Sequence, residues 1–559
     1  MKVLLTVSPN FSIKMLEEEI VNVRRGYCDF TKSVDWRPAP PLGILYIAGS
    51  LRQAGHDVQI YDLHKAFYTC RENGYFEEKE LADFFEEYFN SVINKNKFDV
   101  LGISCLFNVA SSTVEEMAIR CKRVSPSTKI VLGGHYPTYM YREVLESGVC
   151  DYVVLGEAEK EFVWLNNHLA DPLITQKVAN NPHIVDLNCV KNPDKKAAVI
   201  QDMDSLAMPA WDLLPDVNDY IVNSNIAERV GTPRSTKTVK SATVATTRGC
   251  PMRCTFCAAC VVHGKKIRVH SIDYLTNHID RLVSNYGINN LLILDDMFNF
   301  SSTRVIEFCN TISTKYGDRL SLEFPNGLAV WKLDEEVIKS LKKVGLKSMT
   351  IAVESGSQYV QKHILKKNLD LSLIKEKVKL LKKCGIGVRA AYIVGLVGET
   401  LEMMQETVQY ALELNIDWSE IKIFTPLAGS ELYSIAKENG YLIGDMSEHV
   451  FGRCCINTPE FGPEQVKDIQ YNANIYINFL NNKHLKEKKY ENAEQVFRGL
   501  LRNFPNHLFA QWGLWTALTG SGKTKQAEES LKKLYELANR SEKTRLLLQK
   551  YHIQLPQMV

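Results

Sequence analysis

Thr247-Arg248-Gly249-Cys250-Pro251-Met252-Arg253-Cys254-Thr255-Phe256-Cys257 carries three cysteines at the spacing C-x3-C-x2-C. Packing alone rarely brings three thiols into one loop, and thiolates are soft ligands suited to iron or zinc. A four-iron cluster held wholly by protein takes four thiolates. Three leave one iron open to a ligand that is not protein. On these residues alone a half-built zinc site or three unrelated thiols are the alternatives. Gly249 allows a tight bend and Pro251 stiffens the loop. Arg248 and Arg253 place positive charge beside it. Cys260 forms a further C-x2-C with Cys257, but a fourth thiolate would close the open iron. It is therefore left outside the ligand set, as a small apolar thiol.

Downstream, strand and helix alternate. Residues 242–246 form a strand that runs directly into the cysteine loop. Residues 290–296 form the next, ending in Asp295 and Asp296. Two carboxylates there can face a cationic amine or cap the following helix. Residues 321–327, 347–357, 387–400 and 420–430 give four more strand ends, the second carrying Glu354, Ser355 and Ser357. This order predicts a partial (βα)6 barrel over residues 241–445.

Upstream, strands are expected at residues 2–7, 57–62, 100–105, 130–134 and 151–157. A long loop is expected after the first. Pro40-Pro41-Leu42-Gly43 opens a helix that ends at Gly55, where a C-cap glycine belongs. Residues 79–94 have helical periodicity, with Leu81, Phe84, Phe85 and Phe89 on one side. A further helix spans 114–123. The alternation predicts a Rossmann-like, flavodoxin-like α/β domain over residues 1–190. Ligands of such sheets bind at the carboxyl ends of the strands, which here carry Ser104, Gly133, Gly134, Gly156 and Glu157. Paired glycines let a large ligand approach the backbone closely. No G-x-G-x-x-G follows the first strand, which weighs against a dinucleotide. Residues 191–240 are expected to be a linker. In it Met208-Pro209-Ala210-Trp211-Asp212-Leu213-Leu214-Pro215 is pinned against a surface and residues 232–237 form a loop.

Residues 446–559 are expected to be an α-helical region. Ala493 and Ala527, and likewise Phe497 and Leu531, are each 34 residues apart, the tetratricopeptide (TPR) period. TPR-like repeats are placed at about 483–550, leaning on the barrel for stability. Thr519-Gly520-Ser521-Gly522-Lys523-Thr524 lacks the first glycine of a phosphate loop, since Ala517 stands there, and is expected to be a turn between helices. Cys454-Cys455 is expected to be a pair of ordinary thiols near the barrel mouth.

The chain has 559 residues, too many for one core. With 67 Lys and Arg against 65 Asp and Glu, no dominant electrostatic partner is expected, which argues against nucleic acid. No apolar run is long enough to span a bilayer. The N-terminus is expected to be a first strand and not a signal peptide. The remaining cysteines are scattered, as reduced thiols of a cytoplasmic protein are.

The cysteine spacing, with the aromatic Phe256 before the third cysteine, resembles the signature of radical S-adenosylmethionine (SAM) enzymes. Asp295-Asp296 stands where that family has Gly-Gly-Glu or a variant near the amino group of SAM. Glu354, with Ser355 beside it, resembles the family's contact to the ribose hydroxyls. Gly395-Leu396-Val397-Gly398-Glu399-Thr400 is similar to a Gly-Leu-Pro-Gly-Glu-Thr motif whose backbone faces adenine, with Val397 where proline is usual. The upstream domain resembles the cobalamin-binding domain found ahead of many such barrels, through Pro40-Pro41-Leu42-Gly43, Gly102-Ile103-Ser104, Leu132-Gly133-Gly134 and residues 151–157. It departs from the type with a histidine ligand to cobalt, because residues 10–39 contain no histidine. The resemblance therefore implies a lower cobalamin face without histidine, with Trp36 and Arg37 in that loop able to cover it.

What the resemblance implies is a class B methyltransferase-like enzyme using a [4Fe-4S] cluster, SAM and cobalamin. It would methylate an unactivated carbon through a 5′-deoxyadenosyl radical and methylcobalamin, with no catalytic side chain beyond the cluster ligands. Its implied partners are a small-molecule or peptide substrate, a flavodoxin- or ferredoxin-type reductant, and a protein docked on the TPR-like helices. Alternatives are a radical cyclase or oxidase of the same architecture, a methylthiotransferase, and a non-enzymatic cobalamin or redox sensor. Methylthiotransferases carry three more cluster cysteines upstream, whereas Cys28, Cys70, Cys105, Cys121 and Cys150 are dispersed.

Overall fold

In the structure, a computed structural model, residues 1–24, 38–221, 239–450 and 452–556 are described. Trp36, Arg37, Cys28 and the loop at 232–237 lie outside them.

The first domain is built on β1 (Lys2–Val7), β2 (Asp57–Asp62), β3 (Val100–Ser104), β4 (Lys129–Gly133) and β5 (Tyr152–Val154), all parallel in the order β2-β1-β3-β4-β5. A short β6 (Ile184–Val185) joins antiparallel to β5. Val3, Leu4 and Leu5 are each no more than 1% exposed. A parallel strand covered by helices on both faces needs such an unbroken apolar run. The stretch expected as a long loop after β1 begins with a helix, Ile13–Arg24. Leu16 and Ile20, one turn apart, are buried while Glu17 and Glu18 face out, so the amphipathic signal was present but short. The periodic stretch at 79–94 is three pieces: helix Leu81–Phe84, a wider π-turn Phe85–Asn90 and helix Ser91–Asn96. The widened turn lets adjacent Phe84 and Phe85 both enter the core, with Phe89.

Residues that follow the first domain are packed down. Gly49 on helix Leu42–Gln53 has no room for a Cβ, which would stand 2.3 Å from the Met208 carbonyl oxygen. Trp211 is buried, and its Nε1 donates to His278 Nε2 at 3.2 Å.

The second domain holds β7 (Ser241–Val244), β8 (Thr247–Arg248), β9 (Arg268–Val269), β10 (Asn290–Ile293), β11 (Ser321–Glu323), β12 (Ser348–Glu354), β13 (Gly387–Val394) and β14 (Trp418–Ile423). Strands β7, β10 and β11 form one parallel sheet; β12, β13 and β14 form another. A parallel bridge from Leu328 to Ile351 links them. β8 and β9 pair antiparallel and frame the cysteine loop.

β14 leaves an open edge, and helix Pro463–Ile475, continued by the turn Tyr476–Leu480, covers it. Asn478 accepts from Ser419 N at 2.9 Å and donates to Ser419 O at 2.6 Å; Asn474 does the same for Ile421, at 3.1 and 2.8 Å. Two side chains four apart on a helix rise about 6 Å, close to the roughly 6.6 Å between alternate strand residues. The amides thus stand in for a missing strand. Asn478→Ala should strand a buried N–H and C=O at about 1–3 kcal/mol each. A lowered urea midpoint would show it; an unchanged midpoint would refute this role for the asparagine.

Helices Tyr490–Asn503, Leu508–Gly520, Thr524–Ala538 and Glu542–Lys550 follow, with a core of their own that includes Phe497, Leu514 and Leu534. Residues 521–523 turn between two of these helices, with Gly522 at φ +72°. Cys454 and Cys455 are buried, their thiols directed at backbone carbonyls. Among the described residues no helix is long and apolar enough to cross a membrane.

Candidate functional site

The cysteine loop is fixed from several sides. Gly249 has φ +91°, and a Cβ there would lie 2.4 Å from Lys266 O, so only glycine fits this bend. Gly249 N donates to Asp296 Oδ2 at 2.9 Å. Thr255 donates from its backbone to Leu365 O at 3.1 Å and from its hydroxyl to Ile364 O at 2.7 Å, and its carbonyl accepts from Leu432 N at 2.9 Å. Cys250, Cys254 and Cys257 are half-buried, with Phe256 packed against the core between them. Burial pushes all three thiols up, Cys254 to about 12, and the three act electrostatically on one another, so they share one space. Lys367 opposes the rise at Cys250 and Cys254. Three soft thiols in one partly open space fit an iron–sulfur group, whose cations would draw off the thiol protons. Among the described residues no three His, Cys, Asp or Glu side chains converge as ligands of a single ion would. Cys260, on the short helix Ala259–His263, also stands near Cys250 and Cys257.

The two aspartates after β10 part ways. Asp295 is buried and accepts from Thr246 N at 2.6 Å and from the Thr246 hydroxyl. Burial pushes its carboxyl up to about 6 against these hydrogen bonds. It ties the end of β10 to that of β7. Asp296 instead faces Gly249 and the cavity described below. Glu354, at the end of β12, has φ +67° and is 8% exposed. Such backbone strain in a non-glycine residue concentrates at functional sites. Lys367 holds it, donating to Glu354 Oε1 at 3.0 Å and to Ala352 O at 2.6 Å. Ser355 is fully buried, its hydroxyl 3.0 Å from that of Thr407; it supports the turn from behind. Nothing in the pattern around residue 367 pointed to that lysine.

At the end of β13 Gly395 has φ +81°. Glu399 Oε2 accepts from Gly395 N at 2.8 Å and Leu396 N at 3.0 Å, closing the turn with Val397 in place. Burial pushes the Glu399 carboxyl up from 4.5 to about 8. The unfolded chain releases this proton above about pH 4.5 while the folded chain holds it to about 8. The folded state therefore loses stability as pH rises across that window. Glu399→Gln should flatten the fall in urea stability of the apo chain between pH 5 and 8 by a few kcal/mol. An unaltered pH profile would show that Glu399 is ionised in the fold.

A cavity of about 290 Å³ lies between the carboxyl ends of the first sheet and the cysteine-loop side of the second domain. Leu5, Val131, Leu132 and Phe162 line it from one side, and Ala245, Val262 and Leu294 from the other, with Ser104 at the end of β3. The glycines there differ. A Cβ on Gly133 would have Val154 O, at 3.8 Å, as its only close neighbour, so this position is open to a ligand. Gly134, at φ +103°, would place a Cβ 2.5 Å from Cys105 O, and Gly156, at φ +79°, one 2.4 Å from Ala198 O. Those two serve the backbone. An aliphatic lining with the backbone left bare at Gly133 fits the flat face of a macrocycle such as a corrin ring. His135 also lines the cavity, held neutral because burial, then His263, pushes its imidazole down to about 4. It directly follows Gly133-Gly134, one residue beyond the strand-end glycines. Glu157 reaches the cavity wall but spends its carboxylate on Arg268.

The B12 binding domain family matches residues 37–165 and the Radical SAM superfamily residues 244–411. The cytidylyl-2-hydroxyethylphosphonate methyltransferase of Streptomyces wedmorensis is 26% identical over 492 residues, covering 81% of this chain and 89% of its own. An uncharacterized methyltransferase of Pyrococcus horikoshii is 27% identical over 484 residues, covering 84% and 95%. The solved structure of the cobalamin-dependent S-adenosylmethionine radical enzyme OxsB, with aqua-cobalamin and S-adenosylmethionine bound, shares the fold. Its TM-score is 0.58 at 13% identity, over 100% of this chain and 82% of that one. This chain is thus a radical SAM protein with a B12 binding domain ahead of its radical SAM domain.

Proposed function

We propose that the chain is a cobalamin-dependent radical SAM methyltransferase acting on an unactivated carbon of a small-molecule or peptide substrate. One observation carries this: the glycine-cradled cavity and the cysteine loop share one wall, with Asp296 bonded to Gly249 on one side and lining the cavity on the other. Cys250, Cys254 and Cys257 would hold a [4Fe-4S] cluster with one iron left open. Asp296, Glu354 and the Gly395 backbone would seat SAM by its amine, ribose and adenine, with Phe256, Asp295 and Ser355 shaping the surround. Ser104 and Gly133 would contact cobalamin, while Gly134, Gly156 and Glu157 hold its walls in place. Residues 10–39, which follow β1, contain no histidine that could ligate the cobalt. When bound, the cluster supplies the electron that cleaves SAM, and the corrinoid carries the methyl group. The protein's share is to orient these groups and keep water out of an aliphatic cavity.

The consecutive parallel strands and the Leu328–Ile351 bridge support an incomplete (βα)6 barrel. The antiparallel helices over about 483–550 support TPR-like repeats open to a protein partner. Units at 1–190, 191–240, 241–445 and 446–559, a flavodoxin- or ferredoxin-type reductant and a cytoplasmic setting complete the proposal. It is tested by giving anaerobic, cluster-loaded protein hydroxocobalamin, reductant and SAM labelled in its methyl group. Label on the retained corrinoid with S-adenosylhomocysteine formed is the expected result. Retained corrinoid with no S-adenosylhomocysteine would favour a cyclase or oxidase instead.

A further inference from the structure

Four charged side chains are buried together where the two domains meet. Glu157 and Glu159, just beyond β5, are each 3% exposed; Arg248 on β8 is 7% and Arg268 on β9 is 4% exposed. Arg268 grips Glu157 with both guanidinium arms, Nη1 to Oε2 at 2.6 Å and Nη2 to Oε1 at 2.8 Å. The same arms donate to Ile200 O at 2.5 Å and His263 O at 2.6 Å. Glu157 also accepts from Ile200 N at 2.7 Å and lies 3.0 Å from His263 Nδ1. Arg248 donates to Glu159 Oε1 at 2.6 Å, with its guanidinium 5.2 Å from the Tyr46 ring centre.

Two guanidinium groups against two carboxylates make the set neutral, as burial demands. A buried ion pair adds little net stability over well-packed apolar residues, but its directional bonds can select one arrangement among several. Apolar contact would hold the domains together at any nearby angle; a bidentate arginine–carboxylate pair holds one. Arg248 is followed directly by Gly249 and Cys250, and β8 and β9 bracket the cysteine loop. The grip therefore falls on the frame of that loop. Glu157 and Glu159 line the cavity at the same time.

We propose that Glu157 and Glu159, clasped by Arg268 and Arg248, are positioning residues that fix the cysteine loop against the B12 binding domain and so set the separation of the two cofactor sites. The proposal rests on the reading that both sites are loaded, and the experiment separates the two. Glu157→Gln and Glu159→Gln keep the shape and remove the charge. In the full-length protein, reconstituted without oxygen, pulsed electron paramagnetic resonance reads the distance between cob(II)alamin and the reduced cluster. Wild type should give one narrow distance. The variants should lose it to a broad or doubled distribution while retaining both groups. If Glu157→Gln does not fold, Glu159→Gln, which leaves the Arg268 grip intact, carries the comparison. In the apo chain the same variants should speed amide hydrogen exchange over residues 250–257, a readout that needs neither group. Wild type that holds no corrinoid or no cluster would count against the proposed function, and the exchange rates would then decide the clasp. Unchanged exchange, or an unchanged narrow distance in both variants, would overturn it.

Discussion

Cys254→Ser should reduce formation of 5′-deoxyadenosine from SAM to background, with the iron–sulfur absorption lost at the same time. Cys254 is the middle cysteine of C-x3-C-x2-C, and the structure fixes it there twice over. Its carbonyl accepts from Cys257 N at 3.2 Å, and the next residue, Thr255, is bonded to Leu365, Ile364 and Leu432. A serine in this seat keeps the loop's shape but offers a hard oxygen that iron takes poorly beside two thiolates. Cys260→Ala is the matching control. Cys260 stands near the trio, yet it lies on the helix after the loop, so the alanine variant should keep its cluster and most of its 5′-deoxyadenosine formation. Loss of the cluster in Cys260→Ala would mean a fourth protein ligand and no open iron.

Gly133→Val should weaken corrinoid binding while leaving the cluster and 5′-deoxyadenosine formation in place. The backbone at Gly133 is ordinary, and a Cβ there meets little but Val154 O at 3.8 Å. The valine branches would therefore occupy the cavity without straining the chain. Overfilling a fitted space costs about 1–3 kcal/mol, or roughly five- to 150-fold in affinity, readable by titration with hydroxocobalamin. Gly134→Ala behaves differently. Its Cβ would collide with the Cys105 backbone at φ +103°, so its effect should appear as a lower melting temperature of the apo chain. Equal corrinoid affinity in Gly133→Val and wild type would place the ligand elsewhere.

These contrasts show which features the sequence displays and which it hides. Strands β1, β3, β4 and β5 were legible because each is a short apolar run between turn residues, and β2, Asp57–Asp62, because it alternates. The cysteine loop was legible because its spacing has few other uses. Gly133-Gly134 was legible as a pair, but not the division of labour within it, since that depends on what each absent Cβ would strike. Glu157 drew notice as a strand-end carboxylate. Its partner Arg268 lies 111 residues further on, as Arg248 lies 89 beyond Glu159, and no local pattern joins groups so far apart. Arg248, two residues before Cys250, is buried and turned toward Glu159, a partner that its place in the motif does not reveal. Asp295 and Asp296 are identical neighbours, yet two hydrogen bonds donated by Thr246 turn the first inward. Asn474 and Asn478 were silent for another reason. Asparagine in a helix ordinarily signals nothing but weak propensity, and here its role is set by the strand edge it faces.

The function proposed for the cysteine loop requires a cluster able to act on SAM. Anaerobically reconstituted wild-type protein, incubated with SAM and a low-potential reductant, should form 5′-deoxyadenosine without added substrate, and Cys254→Ser should form none. Wild-type protein with an intact cluster that forms none would contradict that function.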